Sequence, residues 1–255
     1  KRITENLTRQ EYLVLNADDP RLLLWAKELS AKTQIIMFGS KPVDGDCVYL
    51  SDNAIRYKFN GSSGVILEEV GRMKIGGKHN RINACAAGAI ALSAGADPTL
   101  IGRGLCTFTG LPHRLEFVAS VNGIEFYNDS KSTTAESIQC AVNAFDSKIH
   151  LIAGGRDKGS DFSIVKESMR DKIKSLILIG EAKDRMAAIW EGLAPVCKSA
   201  TLEDAVSIAF GIASAGEKII FSPGCSSFDM FKNFEHRGEM FKEIVGTLEM
   251  YGKAS

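Results

Sequence analysis

The sequence predicts an α/β protein in two parts: a doubly wound, mainly parallel sheet in the C-terminal half, preceded by a shorter α/β segment that carries a small antiparallel sheet. Three observations lead there. After Gly110, the apolar runs HLIAGG, SLILIG and KIIFSPG alternate with stretches of helical spacing, the pattern left by crossover helices between parallel strands. Earlier, CVYL, AIRYKF and GVILEEV are short, partly alternating runs separated by SDN and NGSSG, as antiparallel hairpins require. Finally, 255 residues that are 45% hydrophobic and 24% charged can bury the cores of two ordinary domains.

Taken in order, Tyr12 to Leu15 reads as a strand, Leu22 to Leu29 as a helix and Ile35 to Phe38 as a second strand ending at Gly39. The three antiparallel strands follow. HNRINACAAGAIALSAGADP then reads as one alanine-rich helix closed by Gly95. A hinge at Thr109 to Pro112 separates residues 1–110 from 111–255. Beyond it, VASV and IEFYN flank Asn122-Gly123, a hairpin signal. A helix begins near Ala135, and HLIAGG is a strand. Helices are expected at Phe162 to Lys172, Lys183 to Glu191 and Leu202 to Ala215, with strands at SLILIG, Val196 and KIIF between and after them. A terminal helix runs to about Tyr251, and Phe228, Phe231 and Phe234 share a helical spacing. Polar clusters fall at strand ends: NDSK, GGRDKGSDF, GEAKD and SPGCSSFD. Ligands of doubly wound sheets bind there.

Composition narrows the partners. Lys+Arg and Asp+Glu are both 31, giving zero formal net charge, so no global field gathers nucleic acid or an anionic membrane. The longest apolar stretches are too short to span a bilayer, and the start KRITENLTRQE lacks a signal-peptide core. A soluble, cytoplasmic protein is expected. Six cysteines without a CxxC pair fit reduced thiols rather than a metal cluster, and no metal-ligand set is expected in the chain.

Each polar motif admits a structural and a functional reading. In GGKHNRIN, Asn80 and Asn83 share a helix face at i, i+3, where amides cap a helix or meet a nucleobase edge. In PHRLE, Arg114 either forks onto phosphate oxygens or pairs with Glu116. In NDSKSTT, Asp129, Ser130, Lys131 and Thr133 precede a helix start, which fits a cap and equally an anion site. GGRDKGSDF offers Lys158 after two glycines and is neither a Walker loop nor a GxGxxG fingerprint. SPGCSSFD adds Ser226, Ser227 and Phe228. Three such loops on one sheet edge favour a pocket for a polyanion.

Together and in this order, NADDP, GKHNRINACAA, GLPHRLE, YNDSKSTT, GGRDKGSDF and FSPGCSSFDMFKNFEHRGEMF resemble the Mur ligases of peptidoglycan synthesis across essentially the whole chain. NDSK and the SPGCSSFDMFKNFEHRG ending are similar to the branch that adds D-glutamate. The resemblance implies an N-terminal UDP-binding domain, a central ATPase domain with a P-loop, and a C-terminal Rossmann-like domain for the incoming amino acid. No GxxxxGK[ST] occurs, so residues 1–110 are expected to be the latter part of the ATPase domain and 111–255 the complete C-terminal domain. The family's carbamylated lysine, which helps hold Mg2+, is expected before Lys1. The chain alone is then expected to be inactive, with the main Mg2+ ligands outside it.

The implied reaction is ATP-dependent ligation of D-glutamate to UDP-N-acetylmuramoyl-L-alanine through an acyl phosphate, by a monomer. The resemblance assigns Asn80, Asn83, Arg114 and Asp129 to ATP. It assigns Lys131, Thr133, Lys158, Ser227, Phe228 and Phe234 to D-glutamate, and Lys131, Asp129 and Arg114 to the catalytic centre. Thr134 departs from the family's usual asparagine. Two other readings stay open: a ligase like folylpolyglutamate synthase, and a Rossmann-like binding module without ligase ancestry.

Overall fold

Short strands rich in valine, isoleucine and leucine build the first of two compact units, Lys1–Thr109, in the computed structural model, which describes residues 2–252. Its sheet has the order β1-β2-β3-β4-β5: Tyr12–Asn16, Gln34–Gly39, Cys47–Ser51, Ala54–Phe59 and Ser62–Leu67. β1, β2 and β3 run parallel, while β3, β4 and β5 are antiparallel. The antiparallel strands therefore continue the parallel sheet, with fully buried Val48 of β3 at the join. Helix α1, Pro20–Leu29, starts on Asp19, whose carboxylate accepts from Arg21 N at 2.9 Å. Helix α2, Lys78–Ser93, buries Ala84, Cys85, Gly88, Ala89 and Leu92. Small residues on that stripe let the helix lie close against Ile36, Val48 and Ile55.

A helix that the apolar pattern hides follows it: α3, Pro98–Thr107. Gly102 and Gly104 depress its helix propensity, yet Asp97-Pro98 is a start signal, and Asp97 accepts from Thr99 N and Leu100 N. Gly102 is where α3 meets β5, and a Cβ there would overlap the Ile66 carbonyl oxygen. Gly102→Ala is expected to destabilise this unit by about 1–3 kcal/mol, as overpacking does, despite alanine's better helix propensity. Urea unfolding measures it, and a stabilised variant would show that α3 lies elsewhere.

The second unit, Gly110–Ser255, holds a six-stranded sheet in the order β10-β9-β8-β11-β7-β6. These strands are β6 (Glu116–Val121), β7 (Ile124–Asn128), β8 (Ile149–Gly154), β9 (Ile173–Ile179), β10 (Val196–Lys198) and β11 (Lys218–Phe221). Only β6 is antiparallel to its neighbour. Asn122 and Gly123, with φ of 51° and 78°, make the two-residue turn before β7. All six residues of β8 are buried, as a central parallel strand covered on both faces must be. Helices α4 (Ala135–Asn143), α5 (Lys166–Met169) and α6 (Lys183–Ile189) cover one face, and α7 (Leu202–Ile212) and α8 (Phe234–Gly252) the other.

Two expectations need correction. The helix expected over Phe162 to Lys172 is a 3-10 turn, Phe162–Val165, followed by the single turn of α5. The Trp190 indole donates to the Phe162 carbonyl at 2.9 Å, and Asp171 ends the segment at φ 63°. Phe228 and Phe231 do not share a helix with Phe234; they lie in turns before α8, with Phe231 packed into the core and Phe228 57% exposed. At the amino end of the sheet, buried His150 bonds Ser175 Oγ and Glu217 Oε2 at 2.8 and 2.9 Å. Lys174 and His150 hold the Glu217 carboxyl down to about 2. Among the described residues, no helix is long and apolar enough to cross a membrane.

Candidate functional site

β11 returns from the β10 edge to insert between β8 and β7, so the carboxyl ends of β7, β11 and β8 are neighbours. They carry the loops beginning at Asp129, Ser222 and Gly155, in the crevice where strand order reverses. Close backbone approach shapes it: Gly154 and Gly155 have φ of 122° and 137°. A Cβ on Gly154 would overlap the Ile179 carbonyl oxygen.

Asp129 sits where two loops meet. Its Oδ1 accepts from Leu115 N at 3.1 Å and its Oδ2 from Ser222 Oγ at 2.8 Å. Burial pushes its carboxyl up to about 6, against the pull of those bonds and of the Arg114 and Arg237 charges. Because the folded value lies above the ordinary one of 3.8, Asp129 contributes stability that is fully present below about pH 4 and is lost as pH rises through about 6. The stability difference between wild type and Asp129→Asn is expected to change across that window by at most about 3 kcal/mol. Urea unfolding at several pH values measures it, and a flat difference would contradict the assignment.

Lys131 places its Nζ 3.7 Å from the centroid of the Phe234 ring, and its backbone N–H donates to the His113 carbonyl at 3.0 Å. The ring holds the ammonium at the pocket edge without neutralising it. Thr133 is exposed at the start of α4. Thr134, the N-cap, bonds Ser137 Oγ at 3.1 Å and gives α4 no side-chain cap. The hydroxyl thus takes up only one of the contacts an asparagine could make there. Lys158 is exposed, with its Nζ 6.0 Å from the Phe228 ring, and Ser227 is buried beside it in sequence. Arg114 is exposed, and its guanidinium makes no hydrogen bond or ion pair among the described residues, so it is available to a ligand. The Ser132 hydroxyl and one Asp229 carboxylate oxygen are buried without a partner.

In the first unit, Asn80 is half-buried and donates one amide N–H to Gly76 O at 2.7 Å; Asn83 is exposed, and its side chain has no hydrogen bond among the described residues. Burial holds neighbouring His79 below its ordinary value. A cavity of about 390 Å³ between β5 and α3, lined by Arg72 and Arg103 among others, shares no residue with this pair. Among the described residues, no group of three or more His, Cys, Asp and Glu side chains could hold a metal ion.

Three residues central to the site escape motif reading. Arg237 is 1% exposed and spans two loops: Nε to Ser130 Oγ at 3.0 Å, Nη2 to Ser130 O at 2.8 Å and Nη1 to Cys225 O at 3.1 Å. Burial lowers it to about 10. Asn128 and Gly238 surround His113, and a Cβ on Gly238 would overlap that ring. The one signal in the sequence was a charged pair, His236-Arg237, before glycine on a helix that otherwise reads as amphipathic.

Lys131 and Lys158, which have no ion pair among the described residues, together with the exposed Thr133 hydroxyl and Arg114 at one sheet edge, can hold a small molecule with more than one carboxylate or phosphate. Comparison with known proteins places both units in one family. Residues 113–225 match the family described as Mur ligase, glutamate ligase domain, and residues 1–91 match the Mur ligase middle domain. The UDP-N-acetylmuramoylalanine–D-glutamate ligase of Geotalea daltonii is 42% identical over 97% of this chain and 54% of its own length. That of Aquifex aeolicus is 39% identical over 96% of this chain and 55% of its own. MurF ligase from Thermotoga maritima, solved in complex with ADP, shares the fold at a TM-score of 0.66 and 15% identity, over 94% of this chain and 55% of that one. The chain therefore spans about half the length of the curated relatives it matches.

Proposed function

Because the chain belongs to the Mur ligase family, in both its middle and its C-terminal domains, we propose that it is the nucleotide-edge and amino-acid-binding portion of an ATP-dependent ligase that joins D-glutamate to UDP-N-acetylmuramoyl-L-alanine. Residues 1–110 form the remainder of the ATPase domain and 111–255 the amino-acid domain. The observation that carries this reading is the placement of Lys131, Lys158 and Ser227 on three adjacent strand ends. D-glutamate brings two carboxylates, which need two cations held apart and hydroxyls between them.

In this reading Lys131 and Lys158 each take one carboxylate, and Thr133 and Ser227 donate to their remaining lone pairs. Phe234 and Phe228 set the lysine positions and cover the aliphatic stem. ATP, when bound, supplies the phosphoryl group that activates the acceptor carboxylate. Arg114 forks onto phosphate oxygens and Asp129 accepts from the ribose region. The amine of D-glutamate then attacks the activated carbonyl carbon, and phosphate leaves. The names of the relatives support D-glutamate over other amino acids.

NMR titration of the chain with D-glutamate, L-glutamate and D-alanine tests the reading. Shifts at Lys131, Lys158 and Ser227 are expected with D-glutamate and much weaker ones with the other two. Equal responses to all three, or none to D-glutamate, would sink it.

A further inference from the structure

Asn128 ends β7 and is fully buried. Its Oδ1 accepts from Ser130 N at 3.1 Å. Its Nδ2 lies 3.0 Å from His113 Nδ1, 3.2 Å from Glu116 Oε2 and 3.3 Å from Gly238 O. A backbone N–H only donates, and a carboxylate and a carbonyl only accept, so the amide can point one way alone. At 3.0 Å His113 Nδ1 faces an amide nitrogen that cannot accept, so a proton on Nδ1 would set two donors against each other, and the contact favours Nδ1 as acceptor with the ring proton on Nε2. That nitrogen faces Glu239 Oε1 at 3.5 Å. The other charged groups around the ring are Glu116, 4.0 Å from Nδ1, and Lys242, which pairs with both Glu116 and Glu239.

The same amide anchors the backbone that presents Arg114. His113 and Leu115 on either side of it both have left-handed backbones, φ 63° and 46°, a conformation that persists in non-glycine residues only when the surroundings over-determine it. Three bonds do so here. His113 N donates to Glu116 Oε2 at 2.9 Å, Leu115 N to Asp129 Oδ1 at 3.1 Å, and Lys131 N to His113 O at 3.0 Å. Asn128 touches each side of this arrangement: Glu116 and the His113 ring through Nδ2, and the Ser130 to Lys131 loop through Oδ1.

We propose that Asn128 is the positioning residue of the site, fixing His113 as the Nε2-protonated tautomer and holding the Arg114 turn and the Lys131 loop in register through one side-chain amide. What Arg114 and Lys131 bind rests on the functional reading above; the tautomer does not. Asn128→Asp keeps the shape and inverts the chemistry, since an oxygen in place of Nδ2 would face three acceptors. The ring must then take a proton on Nδ1, or the turn must separate from β7.

Nitrogen-15 NMR of labelled histidine in the wild-type chain, with the signals assigned by loss in His113→Gln, reads the tautomer directly. Nδ1 is expected unprotonated and Nε2 protonated at neutral pH. Protonation of Nδ1 in the wild type overturns the proposal without recourse to any variant that fails to fold. In folded Asn128→Asp, Nδ1 is expected to carry a proton, and ADP and D-glutamate affinities are expected to fall together by about tenfold. An unchanged tautomer with unchanged affinities overturns the proposal. Wild-type protein that binds neither ligand while the tautomer shifts as expected would sink the functional reading and leave control of His113 by Asn128 supported.

Discussion

Replacing Arg237 with methionine is expected to lower the stability of the C-terminal unit by about 2–6 kcal/mol, about 1–3 for each of two buried carbonyls left without a donor. Three hydrogen bonds converge on this guanidinium at 2.8 to 3.1 Å. Methionine fills similar volume but leaves Ser130 O and Cys225 O without donors, and a buried group deprived of its partner costs about 1–3 kcal/mol. Among the described residues, no carboxylate makes a direct ion pair with Arg237; its bonds go to neutral oxygens. The loss is therefore one of hydrogen bonds and loop register more than of charge pairing. Arg237→Lys keeps the charge but not the fork, and is expected to recover less than half of the loss. Urea unfolding measures both variants, and a change below about 1 kcal/mol for Arg237→Met would show that the loops are held by other contacts.

Lys131→Ala is expected to weaken D-glutamate binding by roughly ten- to a hundredfold, the equivalent of the 1.5–3 kcal/mol carried by a hydrogen bond to a charged group. Stability should hardly change, because among the described residues the ammonium makes no hydrogen bond or ion pair to the protein and rests over the Phe234 ring. Phe234→Leu separates the two roles. It keeps the cation and removes the face over which it rests, so a few-fold loss is expected, in line with about 0.5–2 kcal/mol for a cation over an aromatic ring. Titration followed by NMR or calorimetry gives the affinities. A Lys131→Ala chain that binds D-glutamate within twofold of wild type would remove Lys131 from the site.

The strands were legible because parallel strands covered on both faces are nearly continuous apolar runs, as HLIAGG and SLILIG are, and because Asn122-Gly123 permits one tight turn with little alternative. Helix α3 was not, since Gly102 serves a close approach to β5 that appears only when the sheet is assembled. The Phe162 segment misled for a related reason: its buried residues, Phe162, Val165 and Met169, keep helical spacing while Trp190 takes a carbonyl from the turn. Among the site residues, Lys131 and Lys158 stand out in sequence as cations at strand ends. Asn128 and Arg237 do not, because their partners lie far along the chain: Arg237 reaches Ser130 across 107 residues and Asn128 reaches Gly238 across 110.

The insertion of β11 between β7 and β8 also governs the order of assembly. The bond between Ser222 and Asp129 joins residues 93 apart, so the chain must close a long loop before either neighbour of β11 gains its partner. Until then β7 and β8 cannot lie at their final separation, and the loops carrying Lys131 and Lys158 cannot face one another. Non-local pairings of this kind slow folding. Ligand affinity should therefore emerge in the last kinetic phase of refolding, making D-glutamate a reporter of completed topology rather than of early collapse.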